Sequence, residues 1–302
     1  MYFPFVRHRK TFYAFSGILV GLSIASILFF GLKLGTDFTG GSVLEVTFKE
    51  RVPSSSEIKE QLKDFNLGEI SVQNSREKVI ILKMGPQEEK IHQEIIERLN
   101  KISEVEEGSQ SFESIGPTIG QELKQKTKIV VFLSLLSILL YVAFSFRRIS
   151  RPVKSYIYGI TGIIALLHDV LIPLGIFAVL GKFYGVEITI PIVTSFLMVF
   201  GYSINDTVVV FDRIRENLLK SREDTFELLL EKSLNQSLTR SLSTCLTTLL
   251  ALFAIFFFGG ESLKYFSLSL ILGISFGTYS SLFLATPLVA SYFFILEKKM
   301  LR

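Results

Sequence analysis

Six long apolar blocks are the feature of the sequence that most limits how the chain can fold. They cover about 12–32, 129–146, 155–181, 188–211, 241–258 and 265–296. A helix of about 20 apolar residues is long enough to cross the hydrocarbon core of a bilayer. Hydrophobic residues make up 49% of the chain and charged residues only 20%, a composition typical of integral membrane proteins. The sequence therefore predicts a mainly α membrane protein with a six-helix transmembrane bundle.

Basic residues in the short connections predict how the bundle is oriented. Sixteen Lys and Arg residues lie in the N-terminal tail, at 147–154, at 212–240 and in the C-terminal tail. The opposite short connections carry only Lys182 and Lys264. Because short cytoplasmic loops are enriched in Lys and Arg, both termini are expected in the cytoplasm. The charged connection at 212–240 resembles an amphipathic helix on the cytoplasmic surface.

These assignments define the expected domains. They are a cytoplasmic tail and first span at 1–32, an outer domain at 33–127, five further spans within 128–296 and a cytoplasmic tail at 297–302. Basic residues also precede the first apolar block, as in a signal peptide, but no small-x-small cleavage site follows it. We therefore expect the first block to remain as a membrane anchor.

The outer segment shows the pattern of a small α+β domain. Strands are predicted near 42–48, 69–74, 78–84 and 105–114, and helices from Ser54 to 62–65 and over 86–102. Ser54 and Glu57 have the spacing of a capping box. Strand-helix-strand, repeated once, predicts a split-βαβ, ferredoxin-like domain. The segment has no Ser/His/Asp set or phosphate loop, and His92 falls on a charged helix face, so binding is expected rather than catalysis.

The fourth apolar block contains an ionisable residue, Asp206. Insertion of a carboxylate at the centre of a membrane helix costs roughly 2.5–3.5 kcal/mol, so such residues usually serve a function. At 100° per residue, Tyr202 lies near the same face as Asp206, with Ser203 and Asn205 beside it. This face is expected to point into the bundle. Alternatively, Asp206 lies near enough to the cytoplasmic end to reach water.

The fifth block provides a partner for this carboxylate. Arg240 stands at its cytoplasmic entrance, and Thr244, Thr247 and Thr248 follow on one polar stripe. Desolvation and a nearby guanidinium act in opposite directions on a carboxyl group, so Asp206 could load and release a proton near neutral pH. We therefore interpret Asp206 and Arg240 as a proton relay supported by the stripe. The alternative is an Asp–Arg pair that only fixes helix packing.

Two further patterns concern the interior of the bundle. His168 and Asp169, in the third block, form a second intramembrane pair that either extends the relay or stabilises the bundle by hydrogen bonding. Small residues at four-residue spacing predict close helix packing. They are Gly17, Gly21 and Ala25 in the first block and Gly273, Gly277 and Ser281 in the last.

Several classes of function find no support in the sequence. It contains no nucleotide-binding motif, dinucleotide fingerprint or metal-ligand spacing, so we expect no enzyme activity, no cofactor and no metal. A single cysteine, Cys245, excludes an intramolecular disulfide. The net charge of +4 reflects basic clusters beside the spans, which indicates topology and not nucleic-acid binding.

Three motifs together resemble the SecD/SecF family of protein-export membrane proteins. They are GTDFTGGSVLEV at 35–46, SIGPTIGQEL at 114–123 and GYSINDTVVVFDRIREN at 201–217. The resemblance covers essentially the whole chain. It implies half of an RND-type 12-helix transporter, with SecD supplying the other six helices as a heterodimeric partner.

The resemblance also implies a function. Family members act in the cytoplasmic (inner) membrane with the SecYEG translocon, and YajC and YidC are further expected partners. They use protons to draw the translocating polypeptide outward after the SecA ATPase step. The family's membrane Asp matches Asp206, its essential Arg matches Arg240 and its hydroxyl-rich stretch matches 243–248. Two alternatives remain open, half of a proton-coupled small-molecule exporter and a passive translocon scaffold.

Overall fold

The chain divides into two compact units, Leu34–Ile129 and Met1–Lys33 with Val130–Arg302. The computed structural model describes residues 3–68, 70–76, 78–106, 108–145, 153–220 and 225–300. In this part of the chain, six helices are long and apolar enough to span a membrane. The fold class predicted from the sequence is confirmed, since the chain is mainly helical with six candidate spans and one small sheet domain.

Long helices form the first unit. They are α1 (Arg9–Phe30), α5 (Pro117–Ser145), α6 (Ser155–Tyr184), α7 (Ile190–Lys220), α8 (Phe226–Phe258), α9 (Glu261–Ser280), a π-helical turn (Ser281–Ala285) and α10 (Thr286–Met300). The last three segments are continuous and provide the sixth candidate span, Leu263–Lys299. The boundary between the two units falls within α5.

The second unit is a four-stranded antiparallel sheet with helices. Its elements are α2 (Thr36–Thr39), β1 (Gly41–Thr47), α3 (Ser55–Gln61), β2 (Ser71–Arg76), β3 (Val79–Met84), α4 (Glu89–Asn100) and β4 (Ser111–Ile115). The strand order β2-β3-β1-β4 is that of a split-βαβ, ferredoxin-like domain. Alternate residues of β1 and β3, including Leu44 and Leu82, are fully buried with Ile58 of α3 and Ile95 of α4.

Two of the sequence motifs meet within this unit. Gly40 has φ +79°, and a Cβ atom at this position would lie 2.8 Å from the Cα of Pro117. A Cβ on Gly120 would lie 2.9 Å from the Gly40 nitrogen. The start of β1 and the first turn of α5 therefore contact each other closely, and only glycine fits on each side.

The capping box predicted at Ser54 is confirmed, but two other elements differ from the prediction. The Ser54 hydroxyl accepts from the Glu57 backbone N–H, and the Glu57 carboxylate accepts from the Ser54 N–H. The strand predicted at 105–114 is reduced to β4 and an isolated bridge from Val105 to Phe48. Gly108, which has a left-handed backbone, interrupts the strand.

Helix α5 begins at Pro117, twelve residues before the apolar block predicted to span the membrane. Proline is favoured in the first turn of a helix because its missing N–H is not needed there. An ion pair from Lys126 to Glu122, 2.7 Å long and one turn apart, supports the polar start of the helix.

The 212–240 connection is not a separate surface helix, as the sequence suggested. Helix α7 continues to Lys220, and α8 already begins at Phe226. Phe211 and Ile214 of α7 pack in one buried cluster with Leu230 and other residues of α8, so these extensions belong to the bundle core. Apolar residues on facing sides of both extensions explain why they pair.

Part of the predicted orientation signal lies outside the described residues. This applies to Arg147, Arg148 and Arg151 of the 147–154 connection, to Arg222, and to Arg302 of the C-terminal tail. Glu187, just before α7, forms an ion pair with Lys33, with 3.3 Å between Oε1 and Nζ.

A carboxylate from α8 fixes the N-terminal residues to the bundle. Glu231 accepts hydrogen bonds from the backbone N–H groups of Phe5 and Val6 at 2.8 Å and of Arg7 at 3.2 Å. Phe5 and Val6 are fully buried. A segment before the first helix is thereby ordered against the start of α8, because a charged acceptor satisfies its free N–H groups.

Candidate functional site

Asp206 joins three helical segments of the bundle. It lies on α7 and is half-buried. Its Oδ1 accepts a hydrogen bond from the hydroxyl of Ser241 on α8 at 2.6 Å, and its Oδ2 accepts one from Ser281 in the π-helical turn. Hydroxyl donors of this kind replace water around a carboxylate in the membrane. The carboxylate therefore holds together α7, α8 and the last span.

Small residues in the last span bring the Ser281 hydroxyl within reach. A Cβ atom on Gly273 would overlap the side chain of Val199 on α7, and one on Gly277 would lie 3.2 Å from the Cβ of Ser203. Ser281 follows at the same four-residue spacing. The predicted close-packing face of this span is confirmed, because missing side chains let the two backbones approach.

The corresponding prediction for the first span is wrong. A Cβ atom on Gly17 or Gly21 would have nothing within 4 Å, and both residues are exposed. The buried positions of α1 are Ser16 and Ser23, and Ser23 packs directly against Gly175 of α6. The small residue that permits close approach is therefore on α6.

The last span changes its winding at the site. Residues Ser281–Ala285 form a π-helical turn between α9 and α10. Such turns are rare and occur frequently at functional sites, because they offer an alternative backbone hydrogen-bond register. Ser281, the donor to Asp206, is the first residue of the turn.

Arg240 is exposed and does not pair directly with Asp206. In the described part of the chain, no carboxylate oxygen lies within 4 Å of its guanidinium. The Arg240 side chain lines a groove of about 430 Å³ that also contains Asp212, Arg213 and Glu216. The last two form an ion pair of 2.6 Å, which leaves Arg240 available to another anion.

The predicted supporting residues divide between the interior and an open face. Tyr202 is half-buried and packs against the cluster that contains Cys245, and the Thr248 hydroxyl donates to the carbonyl of Thr244 at 2.9 Å. Thr244 and Thr247 are exposed, and each donates its hydroxyl hydrogen to a carbonyl one turn earlier in α8. Asn205 is exposed too. No segment of the described chain covers Asn205, Thr244 or Thr247, so their part in the relay stays a prediction.

Ser203 does not support Asp206, in contrast to the prediction. Its hydroxyl donates to Oδ2 of Asp169 at 2.6 Å. Ser280 donates to the same oxygen at 2.7 Å, and Nδ1 of His168 lies 2.9 Å from Oδ1. Ser203 and Asp206 are three residues apart on α7, which places them about 60° apart around the helix, enough to face different neighbours.

Three serines of the site were not found from the sequence. Ser241 lies just before the hydroxyl-rich stretch, Ser281 was interpreted only as a small packing residue, and Ser280 was not considered. Serines within the apolar spans are the sequence feature that could have indicated them, because a buried carboxylate needs hydroxyl donors from neighbouring helices. Among the described residues, no group of three His, Cys, Asp or Glu side chains could hold a metal ion.

Comparison with known proteins gives consistent matches along the chain. Residues 95–294 match the family model described as protein export membrane protein SecD/SecF, C-terminal, and residues 25–50 match the SecD/SecF GG motif. "Protein translocase subunit SecF" of Thermobaculum terrenum is 39% identical, over 95% of this chain and 93% of that protein. The protein of the same description from Rhodothermus marinus is 36% identical, over 95% and 92%.

Two solved structures share the fold. The crystal structure of SecDF, a translocon-associated membrane protein from Thermus, superposes with a TM-score of 0.82 at 31% identity. A crystal structure of SecDF in a super-membrane-facing form has a TM-score of 0.70, also at 31% identity. The chain spans 39% and 40% of the length of these two proteins, and they cover 97% and 99% of it. This chain belongs to the SecD/SecF family of protein export membrane proteins.

Proposed function

We propose that the chain is a proton-coupled subunit that promotes polypeptide export across the cytoplasmic membrane, with Asp206 as its proton-binding residue. The observation that carries the proposal is that Asp206 accepts hydrogen bonds from the hydroxyls of Ser241 and Ser281. An ionised carboxylate only accepts hydrogen bonds, whereas a protonated one also donates. Proton uptake therefore changes the contacts between α7, α8 and the last span.

The driving force for this change is the potential across the membrane. One elementary charge moved through 100 mV releases about 2.3 kcal/mol. That energy is comparable to one or two hydrogen bonds to a charged group, each worth about 1.5–3 kcal/mol. Loading and unloading Asp206 can thus bias the arrangement of the three helices that it joins.

Arg240 is proposed as the cation that responds to the charge of Asp206. It directly precedes Ser241, the donor to Asp206, so a movement of this turn of α8 affects both residues. Its exposed guanidinium has no carboxylate partner among the described residues. An arginine in this position can approach the carboxylate when it is ionised and withdraw when it is protonated.

The open polar face of α7 and α8 supports a membrane partner. Asn205, Arg240, Thr244 and Thr247 are all exposed, although polar groups within a membrane need partners. The similar solved structures are SecDF chains, of which this chain matches less than half. We propose SecD as the partner that covers this face and completes the relay. SecYEG, YajC, YidC and the translocating polypeptide are the wider set of proposed partners.

The remaining assignments follow from this function. The protein is placed in the cytoplasmic (inner) membrane with both termini in the cytoplasm, and the segment 33–127 forms an outer domain that transmits the motion of the helices. Its sheet domain contributes binding and no chemistry, and the chain is not itself an enzyme. In the described residues, His92 is engaged by Glu89 at 2.9 Å and stacks on Phe112, which agrees with a structural role.

Export into sealed vesicles tests the proposal. The vesicles contain the translocon, SecA, the partner and this chain, and export is measured with and without a proton gradient. We expect Asp206→Asn to abolish the stimulation by the gradient while SecA-driven export continues. Glu297→Gln removes an exposed carboxylate at the end of the last span, away from the groove that Arg240 lines, and is the matched control, with normal stimulation expected. Full stimulation in an assembled Asp206→Asn protein would rule out this residue.

A second variant separates the proposal from a passive scaffold. Arg240→Met removes the cation but keeps an apolar stem of similar length. Loss of the gradient effect is expected, without loss of assembly. If the gradient stimulates export by this variant as much as by the wild-type protein, Arg240 is not part of the relay. A wild-type protein that promotes export equally with and without the gradient would support the scaffold instead.

A further inference from the structure

His168 and Asp169 form a second polar cluster inside the bundle, which the proposed function does not use. Their side chains are 3% and 0% exposed. Oδ2 of Asp169 accepts hydrogen bonds from the hydroxyls of Ser203 on α7 and Ser280 on α9. Its other oxygen, Oδ1, is hydrogen-bonded to Nδ1 of His168. These partners stabilise the buried carboxyl group, because burial without hydrogen bonds would cost several kcal/mol.

Few titratable groups face the cluster. Tyr279 of α9 stacks on His168 with 5.9 Å between ring centroids, and its hydroxyl is engaged by Ser16 of α1. Helix α7 contributes only the Ser203 hydroxyl, and Ser281 is directed to Asp206. Of the described Lys and Arg residues on these helices and on α10, none lies within 4 Å of Asp169. His168 is therefore the one basic side chain in contact with Asp169 among the described residues.

The hydrogen bonds define how many protons the cluster holds. In the described structure Nε2 of His168 is buried without a hydrogen-bond partner. An imidazolium would leave an N–H donor unpaired there, whereas a neutral ring with its hydrogen on Nδ1 donates to Asp169 and leaves only a bare acceptor. Asp169 is then an anion with three donors. It can take up one proton, and this makes the cluster neutral.

A protonated carboxyl group is a weaker acceptor than a carboxylate, so one donor can turn away from it, and Ser280 has an alternative acceptor. Its hydroxyl lies 3.1 Å from the carbonyl of Gly277, in addition to its bond with Asp169. The next residue repeats the arrangement. The Ser281 hydroxyl contacts Asp206 and lies 3.0 Å from the carbonyl of Thr278. Two consecutive serines thus donate hydrogen bonds to two different carboxylates. Each hydroxyl can instead donate to a backbone carbonyl of its own helix.

The two serines also stand where α9 passes into the π-helical turn. A change between π and α winding would alter the backbone at the junction where both residues lie. We propose that Asp169 is a second proton-binding residue of the bundle, coupled to Asp206 through Ser280 and Ser281 at the π-helical turn. The coupling rests on the proposed role of Asp206, whereas proton binding by Asp169 does not.

Infrared difference spectroscopy of the full chain in lipid nanodiscs tests this inference. The carbonyl stretch of protonated carboxyl groups is followed as the pH is lowered. The Asp169→Asn/Asp206→Asn double variant serves as the blank for all other carboxyl groups. We expect the wild-type protein to show two contributions above this blank. Each single variant should lose one contribution and shift the midpoint of the other by about one pH unit, as for interacting groups.

Ser280→Ala tests the coupling without removing a carboxyl group. We expect both contributions to persist, with the Asp206 midpoint moved to its value in the Asp169→Asn protein. Ser275→Ala is the matched control, because its hydroxyl bonds only within its own helix, at 2.7 Å from the carbonyl of Ile271. Unchanged midpoints in Ser280→Ala would overturn the coupling.

The outcomes separate the two proposals. If Asp169→Asn has the wild-type spectrum, Asp169 binds no proton and the inference is wrong. If Asp206→Asn has the wild-type spectrum while Asp169→Asn loses a contribution, the proposed function fails and the second site stands. If the Asp169→Asn variant does not fold, the Asp206→Asn variant decides. If its spectrum shows no remaining carboxyl group that titrates, Asp169 binds no proton and the inference is wrong.

Discussion

Gly273 of α9 lies so close to Val199 of α7 that a Cβ atom on the glycine would overlap the valine side chain. This contact, with Gly277 against Ser203, sets the separation of the two helices that carry Ser281 and Asp206. The position of the candidate proton site therefore depends on a residue without a side chain, more than one helical turn away from the carboxylate.

Gly273→Ala should push the two helices apart. Overpacking of a well-packed interior costs typically about 1–3 kcal/mol. We expect a loss of unfolding free energy of this size in detergent, together with loss of the Ser281 contact to Asp206. Gly21→Ala is the matched control in a membrane helix, because a Cβ atom there has nothing within 4 Å. Equal stability of the two variants would contradict the packing argument.

The contact between Gly40 and Pro117 leads to a second prediction. Gly40→Ala should combine the strain of a left-handed backbone with a collision against the Pro117 backbone. Gly108 has nearly the same φ, +77°, but a Cβ atom there has nothing within 4 Å. Gly108→Ala should therefore cost only the conformational term of about 1–2 kcal/mol.

Limited proteolysis of the full chain measures this difference. Gly40→Ala is expected to expose the segment 34–129 to protease at concentrations that leave the Gly108→Ala protein intact. If both variants are cut equally, the backbone conformation alone explains the glycine at 40.

A third prediction concerns pH and the first helix of the sheet domain. The pKa of Glu57 lies below its usual value, because the backbone N–H and the hydroxyl of Ser54 donate to its carboxylate. A lowered folded-state pKa stabilises α3 above the unfolded value of about 4.3, and this contribution is lost as the pH falls through the folded value. Hydrogen-exchange protection of α3 should fall accordingly.

Glu57→Gln should remove this pH dependence. The variant is expected to have lower protection of α3 at neutral pH and little further change on acidification. Glu60→Gln, an exposed position on the same helix, makes the same change of charge and should behave like the wild-type protein. A persistent pH dependence in Glu57→Gln would show that another group is responsible.

The sequence was sufficient to predict the spans and the sheet domain, because each depends on local composition or periodicity. It also draws attention to Asp206. A carboxylate in an apolar run is visible without knowledge of its neighbours. Its hydrogen-bond partners are not, since Ser241 and Ser281 reach it only through the crossing of three helices.

Ser203 shows the limit most clearly. A helical projection places it beside Asp206, but the neighbour that it faces is Asp169 of α6. The direction of a side chain relative to other helices depends on helix rotation, which local periodicity does not determine. The π-helical turn adds a change of register in the last span that no residue pattern indicated.

The two hydroxyls on Asp206 lead to the last prediction, a pair of double-mutant cycles. Ser241→Ala and Ser281→Ala are each combined with Asp206→Asn, and the unfolding free energy is measured in detergent. Because both hydroxyls bond to the same carboxylate, we expect each pair to show an interaction energy of about 0.5–3 kcal/mol. Ser275→Ala should show none with Asp206→Asn, since its hydroxyl bonds only within α9. Additive effects for both Ser241 and Ser281 would mean that the carboxylate does not hold the three segments together, and proton uptake at Asp206 would then have no contact through which to move them.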